Sequence, residues 1–472
     1  MVRTELGVTQ AWAEKFGQAL RSVGEDLGRL CLRGLQVTKA VAQAVGRVLS
    51  ENKRLRALEL TQCGLSIAET KEVADGLMRA KQLERIRLAG NPRMDYGVNY
   101  VLYNLAFSPK ISLIDISDVV VSQRTDETAE ALYKLLKISA SLETLRVNNT
   151  LLVHNLSNDF WKALAENATL RVLELDTPAS PARYLSNLSV IGKYIAFNRF
   201  RKGALAVLSL RHCVSSYSYL DNFINSMRIS ERDHEQAFGD PAVAAKMTGT
   251  QLVNHFRCGL EECYFAGGNL TSGFNLVQWL KYSAPRPMQP LYRFMTEGCL
   301  KRLELANACL RKNDADLLGV ALADPACTVT ALLLPGNNLR KEGAKSLSKE
   351  LAVRSETSPL TALNLDSNKL GVSGGRAVAS LLAANPANLA FLSLANNALD
   401  VDGARSLKAA LASNSSLKTL DLSYNRLRKK GLAALAQGLQ DNPKSALQAL
   451  ALRNNFLGDD PILSFLATAP KL

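Results

Sequence analysis

Apolar and polar positions alternate most regularly along Leu417-Lys-Thr-Leu420-Asp-Leu422-Ser-Tyr-Asn425-Arg-Leu427, which reads L-x-x-L-x-L-x-x-N-x-L. Leu420 and Leu422 alternate as on a strand and point into one core, while Asp421 and Ser423 point the other way. Asn425 stands where the chain turns out of the strand, and its amide can bond backbone groups that the turn leaves unpaired. The same pattern opens at Val329, Leu360, Leu389 and Leu447, with Asn337, Asn368, Asn397 and Asn455 in the Asn position, and at Leu300 with Ala308 there. The steps from Leu300 onward are 29, 31, 29, 28 and 30 residues. One such unit cannot bury its own apolar face and requires neighbours above and below.

Upstream, strand patterns open at Leu27, Leu55, Leu83, Ile111, Leu142 and Leu170, at steps of 28, 28, 28, 31 and 28. Here the Asn position drifts. Cys63 and Asn91 keep it, whereas Leu35, Val119, Thr150 and Pro178 do not. Between strands, Ala344/Leu347/Leu351, Ala404/Leu407/Leu411 and Leu432/Leu435/Leu439 each share a helical face. Gly343, Gly374, Gly403 and Gly431 follow the Asn position by six residues, which predicts close backbone approach or an unusual dihedral just before each helix. Asn52, Asn167, Asn385 and Asn414 suit a left-handed residue at the helix end.

The period divides the chain into residues 1–26, a capping helix with Trp12, Phe16 and Leu20 on one face; 27–216, irregular repeats; 217–256, an insertion or degenerate repeat; 257–299, a repeat carrying a Pro-rich insertion at 281–293; and 300–472, regular repeats. Leu472 would open a further repeat, so no C-terminal cap is evident.

With those residues in hand, the chain resembles the leucine-rich-repeat proteins of the ribonuclease-inhibitor type. Their repeat has a 28–29-residue period, one α-helix per repeat, and Asn or Cys in the position held here by Asn337, Asn368, Asn397, Asn425, Asn455, Cys63 and Cys213. The resemblance implies an α/β solenoid, a horseshoe with a parallel β-sheet on the concave face and α-helices on the convex face. The class includes ribonuclease inhibitor, the Ran GTPase-activating protein, sensor regions of innate-immune receptors, CARMIL and tropomodulin, and axonemal subunits. It is specific for fold and unspecific for function.

Composition narrows the function classes. The 472 residues are 47% hydrophobic and 6% aromatic, with a formal net charge of +14 and a pI near 9.4, which speaks to partners rather than to fold. Eight cysteines without even spacing and the absence of an N-terminal apolar run point to a reducing, cytoplasmic setting, the cytoskeleton or a cilium included. An Arg-bearing amphipathic start leaves a mitochondrial transit peptide as a less favoured reading, and sequons such as Asn148 and Asn269 read as coincidental. No stretch approaches the roughly 20 apolar residues of a membrane span. No phosphate loop, nucleophile elbow or H-E-x-x-H motif occurs. His255-x-x-Cys258-x-x-x-x-Cys263 lacks a fourth ligand and places Cys263 in a core position, so no metal and no cofactor is expected.

The binding surface is expected among residues between the core leucines. In the N-terminal half these include Arg29, Arg33, Arg85, Arg87, Arg146, Glu174, Asp176 and Arg211, with Glu59 and Asp115 between them. In the C-terminal half they include Arg302, Glu304, Asn364, Asp366, Phe391, Asp421 and Arg453. Arg is favoured at interfaces. A second feature, Arg311-Lys312, Arg340-Lys341 and Arg428-Lys429-Lys430, recurs just past the Asn position and would stack into a basic ridge suited to an acidic partner. No aromatic interleaving along the ridge is legible, so nucleic acid has little support. The sequence therefore points to a non-catalytic protein–protein interaction scaffold, a structural subunit of a large hetero-complex of the cytoskeleton or a cilium. A GTPase-activating regulator and the ligand-sensing part of a larger receptor are the alternatives.

Overall fold

The computed structural model describes residues 27–458 apart from 123, 151, 153–155, 178–187, 201–202, 228–259, 268–269, 271–289 and 354–355, together with 15–16 and 18–20. Two compact units are present: Met1–Cys213 with Arg257–Leu260, and Val214–Phe256 with Glu261–Leu472. The chain is an α/β leucine-rich-repeat solenoid, in which short parallel strands alternate with helices in chain order.

In the first unit the strands are β1 (Arg29–Arg33), β2 (Ala57–Thr61), β3 (Arg85–Arg87), β4 (Leu113–Asp115), β5 (Thr144–Arg146), β6 (Val172–Glu174) and β7 (Val207–Ser209). Each pairs with the next in parallel and in register, so Leu30, Leu58, Ile86, Ile114, Leu145, Leu173 and Leu208 form one row. These seven side chains are buried, and full burial of each contributes about 1.5–3 kcal/mol. Between the strands run α1 (Lys39–Glu51), α2 (Ile67–Leu77), α3 (Val98–Ala106), α4 (Thr125–Ile138), α5 (Asn158–Glu166) and α6 (Leu188–Phe200). Lys15, Phe16 and 18–20 are helical and Leu20 is buried, while Trp12 lies outside the described residues.

The second unit opens with α7 (Tyr217–Ser226), so the stretch set apart as insertion or degenerate repeat begins with a helix; residues 228–256 lie outside the described ones. It continues with β8 (Glu262–Ala266), α8 (Pro290–Glu297), β9 (Arg302–Ala306), α9 (Lys312–Ala323), β10 (Ala331–Leu333), α10 (Arg340–Val353), β11 (Ala362–Asn364), α11 (Gly371–Ala383), β12 (Phe391–Ser393), α12 (Asp400–Leu411), β13 (Thr419–Asp421), α13 (Arg428–Gln440) and β14 (Ala449–Ala451). Of the Pro-rich stretch 281–293 the described part starts at Pro290, the first residue of α8, where a missing N–H costs nothing. Phe223 of α7 and Phe265 of β8 meet edge to face, ring centroids 6.1 Å apart.

Asparagine does more than close its own turn. Asn397 Nδ2 donates to Leu365 O of the preceding repeat at 2.8 Å, and its Oδ1 accepts the N–H of Asn368 at 2.9 Å. Asn425 repeats both bonds with Leu394 O at 2.8 Å and Asn397 N at 3.0 Å, and Asn455 does so with Leu422 O at 2.8 Å and Asn425 N at 2.9 Å. Asn337 serves even the copy that lacks its own asparagine, accepting from Ala308 N at 2.9 Å. The result is a continuous buried amide ladder that satisfies otherwise orphaned backbone groups.

Two expectations are corrected. Asn52 (φ −75°) caps α1 in extended rather than left-handed backbone, as does Asn167 (φ −71°) behind α5. They act through the side chain: Asn167 Nδ2 donates to Leu136 O at 2.8 Å in the previous helix and its Oδ1 accepts Leu170 N at 2.7 Å. Among the four, Asn385 alone is left-handed (φ 51°). The recurrent glycines lie inside the first helical turn, not before it. A Cβ on Gly374 would stand 2.7 Å from Leu370 Cβ and 3.4 Å from Ala344 Cβ of the neighbouring helix, so close packing selects the residue.

Candidate functional site

The side chains between the core leucines form a surface in each unit, and register decides what they meet. In the first unit the central row runs Glu59, Arg87, Asp115, Arg146, Glu174, each opposite the next. The signs alternate without a break. In-register neighbours of opposite charge stabilise a sheet, while like charges oppose it.

Ion pairs form at the two ends of the row, while Asp115 between them accepts the N–H of Ser117 at 3.1 Å. Glu59 Oε1 takes Arg29 Nη2 at 2.7 Å from one side and Arg87 Nη1 at 3.8 Å from the other. Arg146 Nε meets Glu174 Oε1 at 3.0 Å, and Asn148 Nδ2 holds the other carboxylate oxygen at 2.8 Å. Partial burial alone would raise the Glu59 carboxyl; the Cys31 thiol, Arg29 and Arg87 together outweigh it and hold it below the ordinary carboxylate value. The same burial, with the Glu59 charge, pushes the Cys31 thiol up.

Of the residues expected on this face, Arg87, Arg146 and Glu174 therefore belong to one ladder, with Arg29 at its margin. Arg33 and Arg85 are exposed and make no ion pair among the described residues. Asp176 departs from the expectation. It is buried, and it accepts the Ser209 hydroxyl, Arg211 N at 2.8 Å and Arg211 Nη1 at 3.2 Å. Asp176 ties the ends of two repeats together, and Arg211 is its partner rather than an unengaged contact.

The sheet face of the second unit differs. Ala331, Leu333, Ala362 and Phe391 bring apolar groups to neighbouring positions on β10, β11 and β12. Along β11 to β13 and just past them the polar groups are uncharged or acidic, Asn364, Ser393, Asp366 and Asp421, whereas Arg302 and Glu304 of β9 stand opposite Ala331 and Leu333. Asp366 takes the Ser393 hydroxyl and Ala395 N at 2.8 Å, repeating the arrangement of Asp176. Arg302 lies over the Tyr264 ring, 5.8 Å from its centroid.

The basic residues past the Asn position divide into two groups. Lys312 is engaged, its Nζ 2.8 Å from the buried carboxylate of Asp316, and Lys341 lies 3.7 Å from Glu342. Arg311 caps α9 through its backbone N–H, 2.8 Å from Asp314 Oδ2. Arg340 opens α10 with φ 55° and its N–H bonded to Asn368 O at 3.0 Å. Arg428, Lys429 and Lys430 are exposed, make no ion pair among the described residues, and line an open cleft of about 610 Å³ with Asp400, Val401, Asp402, Arg405 and Phe456.

Phe456 is the residue that sequence reasoning missed. It follows the Asn position by one, with φ 55° and 76% of its surface exposed. Lys369, Ala398 and Arg426 at the same place are exposed too, so solvent access there is a property of the repeat. The missed signal was an aromatic residue in a position that most copies turn outward, Asn338 being half-buried there. Tyr424, exposed and likewise left-handed at φ 61°, stands one repeat earlier. Aromatic groups do accompany this part of the ridge, although Asp400 and Asp402 in the same cleft oppose a polyphosphate.

Among the described residues no group of three or more His, Cys, Asp and Glu could hold a metal ion. His255 and Cys258 lie outside those residues, and Cys263 is buried in β8. No described helix is long and apolar enough to cross a membrane. Cys63 and Cys213 occupy the Asn position and donate weakly to Leu32 O and Leu175 O, both at 3.2 Å. Burial pushes their thiols up to about 11 and about 12.

A family model described as Leucine Rich repeat matches residues 358–379 and 413–436. Ribonuclease inhibitor of Sus scrofa is 23% identical over 457 residues, which cover 96% of this chain and 88% of that protein. The chain is a leucine-rich-repeat protein of the ribonuclease-inhibitor type. NACHT, LRR and PYD domains-containing protein 5 of Mus musculus is 34% identical over 217 residues, 46% of this repeat protein and 17% of the mouse protein. Among solved structures, the leucine-rich repeat-containing protein LegL7 from Legionella pneumophila aligns over 94% of this chain and 100% of its own at 14% identity and a TM-score of 0.36. Proteins of this repeat class are typically non-catalytic and bind other proteins.

Proposed function

We propose that this repeat protein is a non-catalytic scaffold that holds partner proteins within a large assembly, cytoskeletal or ciliary, through the charged sheet face of its first unit and the basic cleft of its second. The observation that carries the reading is the ladder Glu59–Arg87–Asp115–Arg146–Glu174. A surface whose charges are already ordered spends little entropy on becoming complementary to a partner. Arg33 and Arg85 at its edge, and Arg428–Lys430 in the cleft, supply the cations for an acidic partner. The test is affinity purification at low and moderate salt, comparing wild type with Arg146→Glu and with the triple change Arg428→Glu/Lys429→Glu/Lys430→Glu. One assembly of cytoskeletal or ciliary proteins, retained by wild type and lost by either variant, is the expected result. Recovery of a small GTPase alone, with GTP hydrolysis stimulated, would overturn it.

A second reading is supported by the mouse relative, whose name gives the repeats as one domain among several. In it, this repeat protein is the sensing part of a receptor. Release of the bound protein by a small ligand or a microbial product, rather than stable co-purification, would favour that reading.

A further inference from the structure

Outside the sheet faces, three apolar side chains lie exposed at the C-terminal ends of successive helices. Met78 caps the C-terminus of α2, Phe107 caps that of α3, and Ile138 is the last residue of α4. Their exposures are 60%, 68% and 41%. The flanking helices end instead on Glu51 and Glu166, both exposed, so the apolar row is bounded by carboxylates at either side. In the second unit only Val353, at the end of α10, is a comparably exposed helix-end residue among the described ones.

The backbone of this edge is also set apart. Where other repeats place Asn52, Asn167 or Asn414 three residues before the strand pattern, these three carry Ala80, Ser108 and Ser139. The hydroxyls of Ser108 and Ser139 are buried without a partner. Val353 apart, the other solvent-facing helix ends among the described residues carry polar or small residues, so folding does not require Met, Phe and Ile here.

Four exposed cations stand beside the row: Arg79, Lys81, Lys110 and Lys137. Lys110 Nζ bonds Gln82 Oε1 at 2.6 Å and Lys137 Nζ bonds Tyr133 Oη at 2.9 Å, both neutral partners. None of the four makes an ion pair among the described residues, though Glu166 and Asp159 act on Lys137 through space.

We infer that the row Met78–Phe107–Ile138 is a docking edge for an acidic amphipathic helix of a partner protein. Packed helices stand about 8–10 Å apart, which sets the spacing of their ends. Seven residues of a helix rise about 10.5 Å. A partner helix laid across the three helix ends meets them with apolar residues at i, i+7 and i+14, and its acidic flanks face Arg79, Lys81, Lys110 and Lys137. A bilayer surface is the other taker of apolar and basic groups, but a row one side chain wide offers it little area to bury. This edge is independent of the sheet-face reading.

The test places a photo-crosslinking p-benzoylphenylalanine at position 107 of the full chain in living cells and maps the crosslinked residues. It is repeated with Met78→Glu/Ile138→Glu, exposed changes whose folding is checked by circular dichroism. Expected is an adduct within a net-negative segment carrying apolar residues at seven-residue spacing, reduced at least about tenfold by the double change, the scale of an interface hot spot. Three results overturn the inference: an adduct indifferent to the double change, a mapped segment without acidic residues or that spacing, or no adduct. Sedimentation with phosphatidylserine vesicles that Phe107→Glu abolishes, without a protein adduct, would assign the edge to membranes instead.

Discussion

The two units are built on one strand pattern and differ in what fills the place where the chain leaves the strand. From Asn337 to Asn455 the second unit carries asparagine in every copy, and each side-chain amide bonds the preceding repeat and its own turn, building one buried ladder. In the first unit Asn91 does the same for one junction, accepting Cys63 N at 2.9 Å and donating to Leu60 O at 2.7 Å. Cys63 and Cys213 make only sulfur contacts, and Thr150 bonds Val147 O at 3.0 Å within its own repeat. Strand formation survives all these exchanges. Burial of the leucine row is therefore sufficient for the repeat, and the amide ladder adds regularity on top of it.

The faces differ as well. Charge in the first unit is ordered into alternating neighbours, while the second presents Ala331, Leu333, Ala362 and Phe391 with Arg302 and Glu304 on one side and acidic and amide groups on the other. Side chains on the solvent side take no part in the core, so the two faces were free to diverge.

The contrast can be broken most directly at Asn397. Replacement by Ala orphans buried groups on two repeats, and a loss of about 3 kcal/mol is expected from the usual cost of such groups. Urea denaturation followed by circular dichroism measures it. Cys63→Ala in the first unit removes weak sulfur contacts and a small volume, and about 1 kcal/mol is expected from the transfer of that much apolar surface. Equal losses at the two sites would mean that asparagine and cysteine are interchangeable there.

A smaller effect is expected at the charged face. Arg146→Ala frees Glu174 at a partly exposed site, where a pair contributes about 0.2–1 kcal/mol, and raised salt should shrink the difference. Partner binding should suffer more than stability.

Acid titration sharpens the same point. Glu59 is held below the ordinary carboxylate value in the folded protein, so its contribution is present at neutral pH and lost as pH falls through that depressed value. Glu59→Gln should flatten the acid limb of the stability profile, measured by thermal melts between neutrality and pH 3. Least in energy but easy to read is thiol reactivity. Cys63 and Cys213, pushed up to about 11 and about 12 by burial, should resist alkylation near pH 8 until the protein unfolds, whereas the exposed Cys309 should react first.

Much of the fold was legible because each repeat restates one local rule. A leucine at every second strand position and a period near 29 residues imply parallel strands in register, whatever fills the turns. The asparagine position was legible as turn chemistry, but its bonds to the neighbouring repeat were not, since they join residues 26–34 apart. The site was legible in part. Register placed Arg87, Arg146 and Glu174 on one face, yet Asp176 was misread, because alternation does not tell that its carboxylate folds back onto Arg211. The ridge was read from spacing alone, and spacing could not show that Lys312 is engaged by Asp316 while Arg428–Lys430 are not.

By itself, then, the sequence determined the repeat, its strands and helices and the side of the sheet each residue occupies, because burial of a periodic leucine row admits one arrangement. Tertiary structure decided which carboxylate takes which guanidinium, that Phe456 shares a cleft with Arg428, and that Met78, Phe107 and Ile138 fall in one exposed row. Those outcomes depend on where flexible side chains and helix ends finish once neighbouring repeats are stacked. Periodicity sets a residue's face but not the distance across it.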